Sequence, residues 1–284
     1  MNSEFRPSRF EILPVIVKNL LIINVLVFIA QLTIDGRAPQ GDLEANIGWF
    51  TNTFALHNFQ SPLFKPWQLL THMFLHGGLL HIFGNMFALY MFGSILENIW
   101  GPKRFLIFYL ICGVGAACLY LGSLAWENHQ MLAIFNQYKM HPNPDLFAQF
   151  AKKYISNDLY VGVDKMITEW RLDPTNPGFS DDGFSVMSRY IQITLNEPTL
   201  GASGAVFGCL AAFGYLFPNT YLYLYFFVPI KAKWFVIGYI GFELLMVLRH
   251  SAGGTVAHFA HLGGALVGFL LVYFWNKSNR KTFY

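Results

Sequence analysis

Charge is scarce in this sequence. Only 12% of its 284 residues are Asp, Glu, Lys or Arg, against roughly 25% in a typical soluble domain. At 54% hydrophobic and 18% aromatic, the chain cannot present an all-aqueous surface. Its net charge is +3 and its basic residues form no cluster, which excludes the usual electrostatic signature of a nucleic-acid partner. Cysteine is scarce too. Cys112, Cys118 and Cys209 lie in apolar stretches; an odd number gives no disulfide framework, and each reads as a small hydrophobe. There is no internal repeat and no low-complexity tract. The first apolar run follows Arg6, Arg9 and Lys18, is too long for a signal-peptide core and has no small-residue cleavage site after it, so it reads as a retained anchor.

Long apolar runs are what the sequence does have. A helix needs roughly 20 mainly apolar residues to cross a bilayer. Six segments are expected to do so: approximately Leu13–Ile34, Leu79–Ile99, Arg104–Ala125, Leu200–Phe217, Trp234–Leu248 and Thr255–Trp275, the fourth and fifth being short. The expected fold is an all-α membrane protein, a six-helix bundle. The short connections Gly101–Arg104 and Lys231–Lys233 are basic, so by the positive-inside rule both termini are expected in the cytoplasm. With no cleaved signal and a single-domain plan, the expected location is a bacterial inner membrane.

Two connections are long. Asp35–Thr71 is rich in aromatics, among them Trp49, Phe54 and Trp67, as befits a segment at the headgroup layer. Residues 126–198, between spans three and four, are the only soluble-looking part. Asp145–Ile155 reads as an amphipathic helix with an acid in its first turn and lysines later. Asp181–Leu195 reads as a second, with a turn at Pro174, Pro177 and Gly178 between them. The segment is expected to form a helical extracytoplasmic insertion, a cap that filters or docks substrates.

Polar residues at membrane depth are expensive and mark function. Gly201-Ala202-Ser203-Gly204 follows Glu197-Pro198-Thr199, a helix-start signal. Ser203 would then sit near a helix N-terminus, where unpartnered N–H groups can form half of an oxyanion hole. Taken alone, such a serine is more often a small packing residue hydrogen-bonded back to its own helix. In the sixth span His261, Gly264 and Gly268 share one face at i, i+3 and i+7. Glycines permit close helix approach, and Gly204 and Gly208 offer a matching small face. Contact between the two faces would bring His261 toward Ser203. A serine needs a base to become a nucleophile, and imidazole suits that near neutral pH. His258 lies one turn away on much the same stripe, and spacing alone does not choose between the histidines.

His81 and Asn85, at i and i+4 in the second span, can both donate hydrogen bonds to a developing oxyanion. His72 and His76 at i and i+4 raise a zinc site as a rival, but no Glu lies between them as in H-E-x-x-H and no third ligand is evident. Glu97 and Glu243 read as structural or snorkelling side chains, not as catalytic acids. Nucleophile, base and donors all fall near the outer ends of their spans, His261 about six residues or roughly 9 Å below its helix start.

The combination His81-x3-Asn85, Gly201-x-Ser203-Gly204 and Ala260-His261-x2-Gly264-x3-Gly268, in that order on spans two, four and six, resembles the rhomboid intramembrane serine proteases from Trp67 to about Trp275, the long connection apart. The resemblance implies a dyad without an acid: Ser203 as nucleophile and His261 as general base. It selects His261 over His258 because the family's glycines follow the base at +3 and +7. It also implies an oxyanion site from His81, Asn85 and the Ser203 N–H, with Phe207 against the imidazole and Gly201, Gly204 and Gly264 in support. Neither metal nor cofactor is implied. The implied substrates are transmembrane proteins in the lipid bilayer, with a small residue before the cut. Where many relatives carry Trp-Arg in the first outside loop, this chain has Trp67-Gln68. The rivals are a catalytically silent rhomboid-like protein that binds membrane clients and a transporter that relays protons through histidines. A silent relative usually lacks Ser or His, and a transporter often shows paired broken helices.

Overall fold

A computed structural model describes residues 10–36, 47–155, 157–224, 227–249 and 255–280. The elements in order are α1 Val15–Asp35, α2 Trp49–Phe54, α3 Gln68–Thr71 with a 3-10 turn His72–Phe74, α4 Leu79–Ala88, a π turn Leu89–Gly93 and α5 Ser94–Trp100. They continue as α6 Pro102–Met140, α7 Pro144–Tyr154, α8 Asn157–Leu172, α9 Pro177–Asn196, α10 Ser203–Leu216, β1 Tyr221–Leu224, β2 Val228–Lys231, α11 Ala232–Leu248 and α12 Thr255–Arg280. The chain forms two compact units, one of residues 1–57, 63–121 and 198–284, the other of residues 58–62 and 122–197.

Among the described residues four helices are long and apolar enough to cross a membrane: Val15–Asp35, Leu79–Trp100, Pro102–Met140 and His258–Lys277. α10 and α11 are shorter, at 14 and 17 residues. In the first unit apolar side chains point outward as well as inward. Ile22, Leu26 and Ile29 on α1, Phe83 and Phe87 on α4, Ile237 and Leu245 on α11 and Leu266 and Phe269 on α12 are all exposed. Exposed apolar surface on this scale marks contact with a non-aqueous phase. α10 is the exception, since every residue from Gly204 to Gly214 is buried. It is the central post of the unit, which is why it is small-residue-rich and apolar all round.

Several expectations change in detail. The third apolar helix does not stop at Ala125 but runs on to Met140, because no Gly or Pro interrupts residues 123–140 and the first breaker is Pro142. The expected start of the fourth span at Leu200 gives way to Ser203. Thr199 is instead extended and bridged to Leu56 through two backbone hydrogen bonds of 2.8 Å, so a tertiary pairing overrides the local Pro198 signal. The fold is also not all-α. Tyr221–Leu224 pairs antiparallel with Val228–Lys231, Tyr221 opposite Lys231.

In the second unit the helices expected around Asp145–Ile155 and Asp181–Leu195 are α7 and α9, and α8 lies between them. Asn143 caps α7 by accepting from the N–H groups of Asp145 and Leu146, and Asn176 caps α9 at the Gly178 N–H. Met131, Tyr138, Phe147, Phe150, Trp170 and Met187 form this unit's own buried core.

Candidate active site

The first unit builds the site from three stretches. Gly201 comes first: its φ of +132° is open to glycine and strained for other residues, and its N–H donates to the His72 carbonyl oxygen at 2.9 Å. This turn delivers Ser203 as the opening residue of α10. The Ser203 side chain therefore stands beside backbone N–H groups that have no partner within the helix.

α12 meets α10 backbone to backbone. A Cβ on Gly268 would stand 2.6 Å from the Gly208 Cα, and one on Gly264 would collide with the Gly204 carbonyl oxygen. The small faces expected on the two helices are in contact. One turn before Gly264, the His261 ring lies flat on Phe207, centroids 4.1 Å apart and planes 6° from parallel. Phe207 is itself one turn after Ser203 on α10, so the imidazole is held over the first turn of the serine's own helix.

His81 closes the third side. A Cβ on Gly201 would lie 2.9 Å from His81 Nε2 and 3.7 Å from Ser203 Oγ, so ring and hydroxyl flank the same glycine. The Gly77 N–H donates to His81 Nδ1 at 3.2 Å. An accepting Nδ1 puts the neutral ring's proton on Nε2, the nitrogen on the Gly201 side. Asn85, buried, donates one amide hydrogen to the His81 carbonyl at 3.1 Å and has a second left to give.

The remaining polar residues sort themselves. Glu97 accepts from the Ile16 and Val17 N–H groups at 2.9 and 2.8 Å and so caps α1; its role is structural. Gln68, fully buried, accepts from the N–H groups of His57 and Lys65 and donates to the carbonyls of Asn52, Thr53 and Leu63. A neutral amide thus ties down the first loop. His72 is engaged with the Gln68 carbonyl through Nδ1 at 2.8 Å. His72 and His76 are buried, and burial is the main cause that lowers the pKa of each to about 4. Among the described residues neither belongs to a group of three metal-ligating side chains. Among the described residues the group with metal-ligating geometry is Glu243, His258 and His261, whose donor atoms lie within 4.8 Å of one another. Glu243 joins the two histidines: one carboxylate oxygen pairs with His258 Nδ1 and the other lies 3.2 Å from His261 Nδ1. Sequence reasoning missed this contact, since nothing in the spacing of α11 fixes which way Glu243 turns.

Comparison with known proteins agrees with this architecture. The Rhomboid domain model matches residues 63–129 and 183–278. The chain is 27% identical over 239 residues to RHOMBOID-like protein 12, mitochondrial, of Arabidopsis thaliana, covering 82% of this chain and 54% of that protein. It is 28% identical over 244 residues to an uncharacterized mitochondrial rhomboid protein of Schizosaccharomyces pombe, with 80% and 57% covered. A segment of 48 residues is 42% identical to the rhomboid protease GluP of Bacillus subtilis, covering 17% of this chain and 10% of that protein. The chain spans about half the length of the first two relatives. Their mitochondrial names overturn the expectation of a bacterial inner membrane with both termini in the cytoplasm. The physical reason is that the length and hydropathy of a span report a hydrocarbon surround, not which bilayer supplies it.

Proposed function

The chain belongs to the rhomboid family, and from that membership we propose that it is an intramembrane serine endopeptidase cutting transmembrane segments. The observation that carries the reading is Ser203 at the first residue of a buried helix, with His261 stacked on Phe207 of that same helix. In this mechanism His261 Nε2 takes the Ser203 Oγ proton as the oxygen attacks a peptide carbonyl. The oxyanion is received by the Ser203 N–H, His81 Nε2–H and Asn85. His261 then returns the proton to the leaving amine, and water releases the acyl group from Ser203. A helical peptide bond is shielded by its own hydrogen bonds, so substrates with small and helix-weakening residues near the cut are favoured.

Six membrane passes belong to the same proposal. α10, buried on all sides, needs no lipid-facing length, and α11 carries an exposed apolar surface. Residues 126–198 are proposed as an insertion within a single rhomboid domain, supported by the family match skipping 130–182. The relatives' names extend to this chain as a proposed mitochondrial membrane location.

A serine-reactive fluorophosphonate probe tests the reading on the full chain in detergent. Labelling is expected to vanish in Ser203→Ala and to fall sharply in His261→Ala, with cleavage of a transmembrane peptide lost in both. Cleavage that persists in Ser203→Ala rejects the reading. Loss in His258→Ala but not in His261→Ala rejects the choice of base.

A further inference from the structure

The Glu243 carboxylate is buried on α11, in apolar surroundings where an ionised group needs partners. Its two oxygens face two different imidazoles of α12. Oε2 pairs with His258 Nδ1, while Oε1 lies 3.2 Å from His261 Nδ1. That nitrogen is itself buried and has no hydrogen-bond partner, with Oε1 facing it at ion-pair distance. Tyr239 lies one turn earlier on α11. Tyr239 packs in turn on Phe207, the ring that carries His261.

The chemistry at His261 makes this placement matter. A neutral imidazole has one N–H and one lone pair. To accept a proton from Ser203, His261 must present the lone pair at Nε2, so its own hydrogen must be on Nδ1. A carboxylate oxygen at Nδ1 attracts that N–H and repels a lone pair there, so it selects the competent tautomer. After proton transfer the ring is an imidazolium, and the same carboxylate offsets its charge where little water does.

We propose that Glu243 is a positioning residue for His261, so that this chain works with a Ser203–His261–Glu243 arrangement in place of a two-residue dyad. Glu243 stays ionised throughout, and the proton shuttles only between Ser203 Oγ, His261 Nε2 and the leaving group. His258 occupies the second oxygen. The inference deepens the protease reading and rests on it.

The test measures kcat and KM for a transmembrane peptide substrate with the full chain in detergent, alongside unfolding midpoints. Glu243→Gln keeps the shape but removes the charge and can offer its NH2 to the wrong ring nitrogen. Its kcat is expected to fall about 10²-fold or more, within the span of general-base contributions, with KM changed by about threefold at most. Glu243→Asp retains the charge and is expected to recover about tenfold of that loss. His258→Gln is expected to stay within about fivefold of the parent. The inference is overturned if Glu243→Gln keeps kcat within about threefold. It is also overturned if Glu243→Gln, Glu243→Asp and His258→Gln lose activity together, in step with lower unfolding midpoints, which marks a plain tie between α11 and α12. Activity abolished by EDTA and restored by zinc overturns it as well, by making the cluster a metal centre. Should Glu243→Gln not fold, Glu243→Asp carries the test: a kcat about tenfold below the parent at an unchanged unfolding midpoint supports the inference, and a kcat within about threefold of the parent overturns it. Failure of the protease reading looks different: Ser203→Ala remains active whatever Glu243 does.

Discussion

Phe207 lies face to face with His261, 4.1 Å between centroids and 6° from parallel. The ring supports the proposed base from beneath without sharing a proton with it. Phe207→Leu keeps the apolar volume and removes the flat face. Stacking worth roughly 0.5–1.5 kcal/mol converts to a fall in kcat of about two- to tenfold. Steady-state cleavage measured beside an unchanged unfolding midpoint checks this, and an unaltered kcat counts against the supporting role.

The glycine contact between α10 and α12 leaves no room for a methyl group. Gly268→Ala would place a Cβ 2.6 Å from the Gly208 Cα, and overpacking of this kind costs about 1–3 kcal/mol. Gly264→Ala meets the Gly204 carbonyl directly and lies one turn from His261. Both substitutions are expected to lower the unfolding midpoint in detergent. Gly264→Ala is expected to reduce fluorophosphonate labelling of the fraction that remains folded, and Gly268→Ala to leave that fraction reactive.

Glu97 offers a contrast, being buried, charged and remote from the site. Removing it in Glu97→Ala strips the Ile16 and Val17 N–H groups of their acceptor, at a cost of about 1–3 kcal/mol for each group left unsatisfied. The expected signature is a lower unfolding midpoint with kcat per folded molecule unchanged. A selective loss of kcat would falsify the purely structural assignment.

Acid should destabilise the first loop. His72 has a pKa of about 4 in the folded chain, below the 6.5 of an unperturbed histidine. The unfolded chain therefore takes up a proton first as pH falls. Stability from the neutral, buried ring is complete above about pH 6.5 and is lost progressively down to about pH 4, a span worth about 3 kcal/mol. His72→Gln is expected to flatten the slope of unfolding free energy against pH across that window. An unchanged slope argues that His72 is not its source.

Much of this was legible from apolar run lengths and glycine spacing. The spans around α1, α4 and α12 follow from composition alone, and the i, i+4 glycines of α10 and α12 named the two faces that meet. Other features depended on partners distant in sequence. Thr199 is extended because Leu56 pairs with it, which no local signal could reveal. Lys231–Lys233 reads as a basic connection, and the pairing of Tyr221–Leu224 with Val228–Lys231 at its edge shows only when both halves are placed. α8 carries a weaker local signal, because Val161-Gly162-Val163 holds poor helix formers. The Glu243 contact was hidden for another reason. α11 is apolar nearly all round, so the pattern leaves its rotation undetermined.

The Leu56–Thr199 bridge and the Gly201–His72 hydrogen bond are a seam stitching the stretch before α4 to the turn that delivers Ser203. Opening that seam would displace the Ser203 hydroxyl while the proposed nucleophile and base both stayed intact. Ranking family members as live or dead by checking for serine and histidine alone would then count as live some chains whose stitching has come undone.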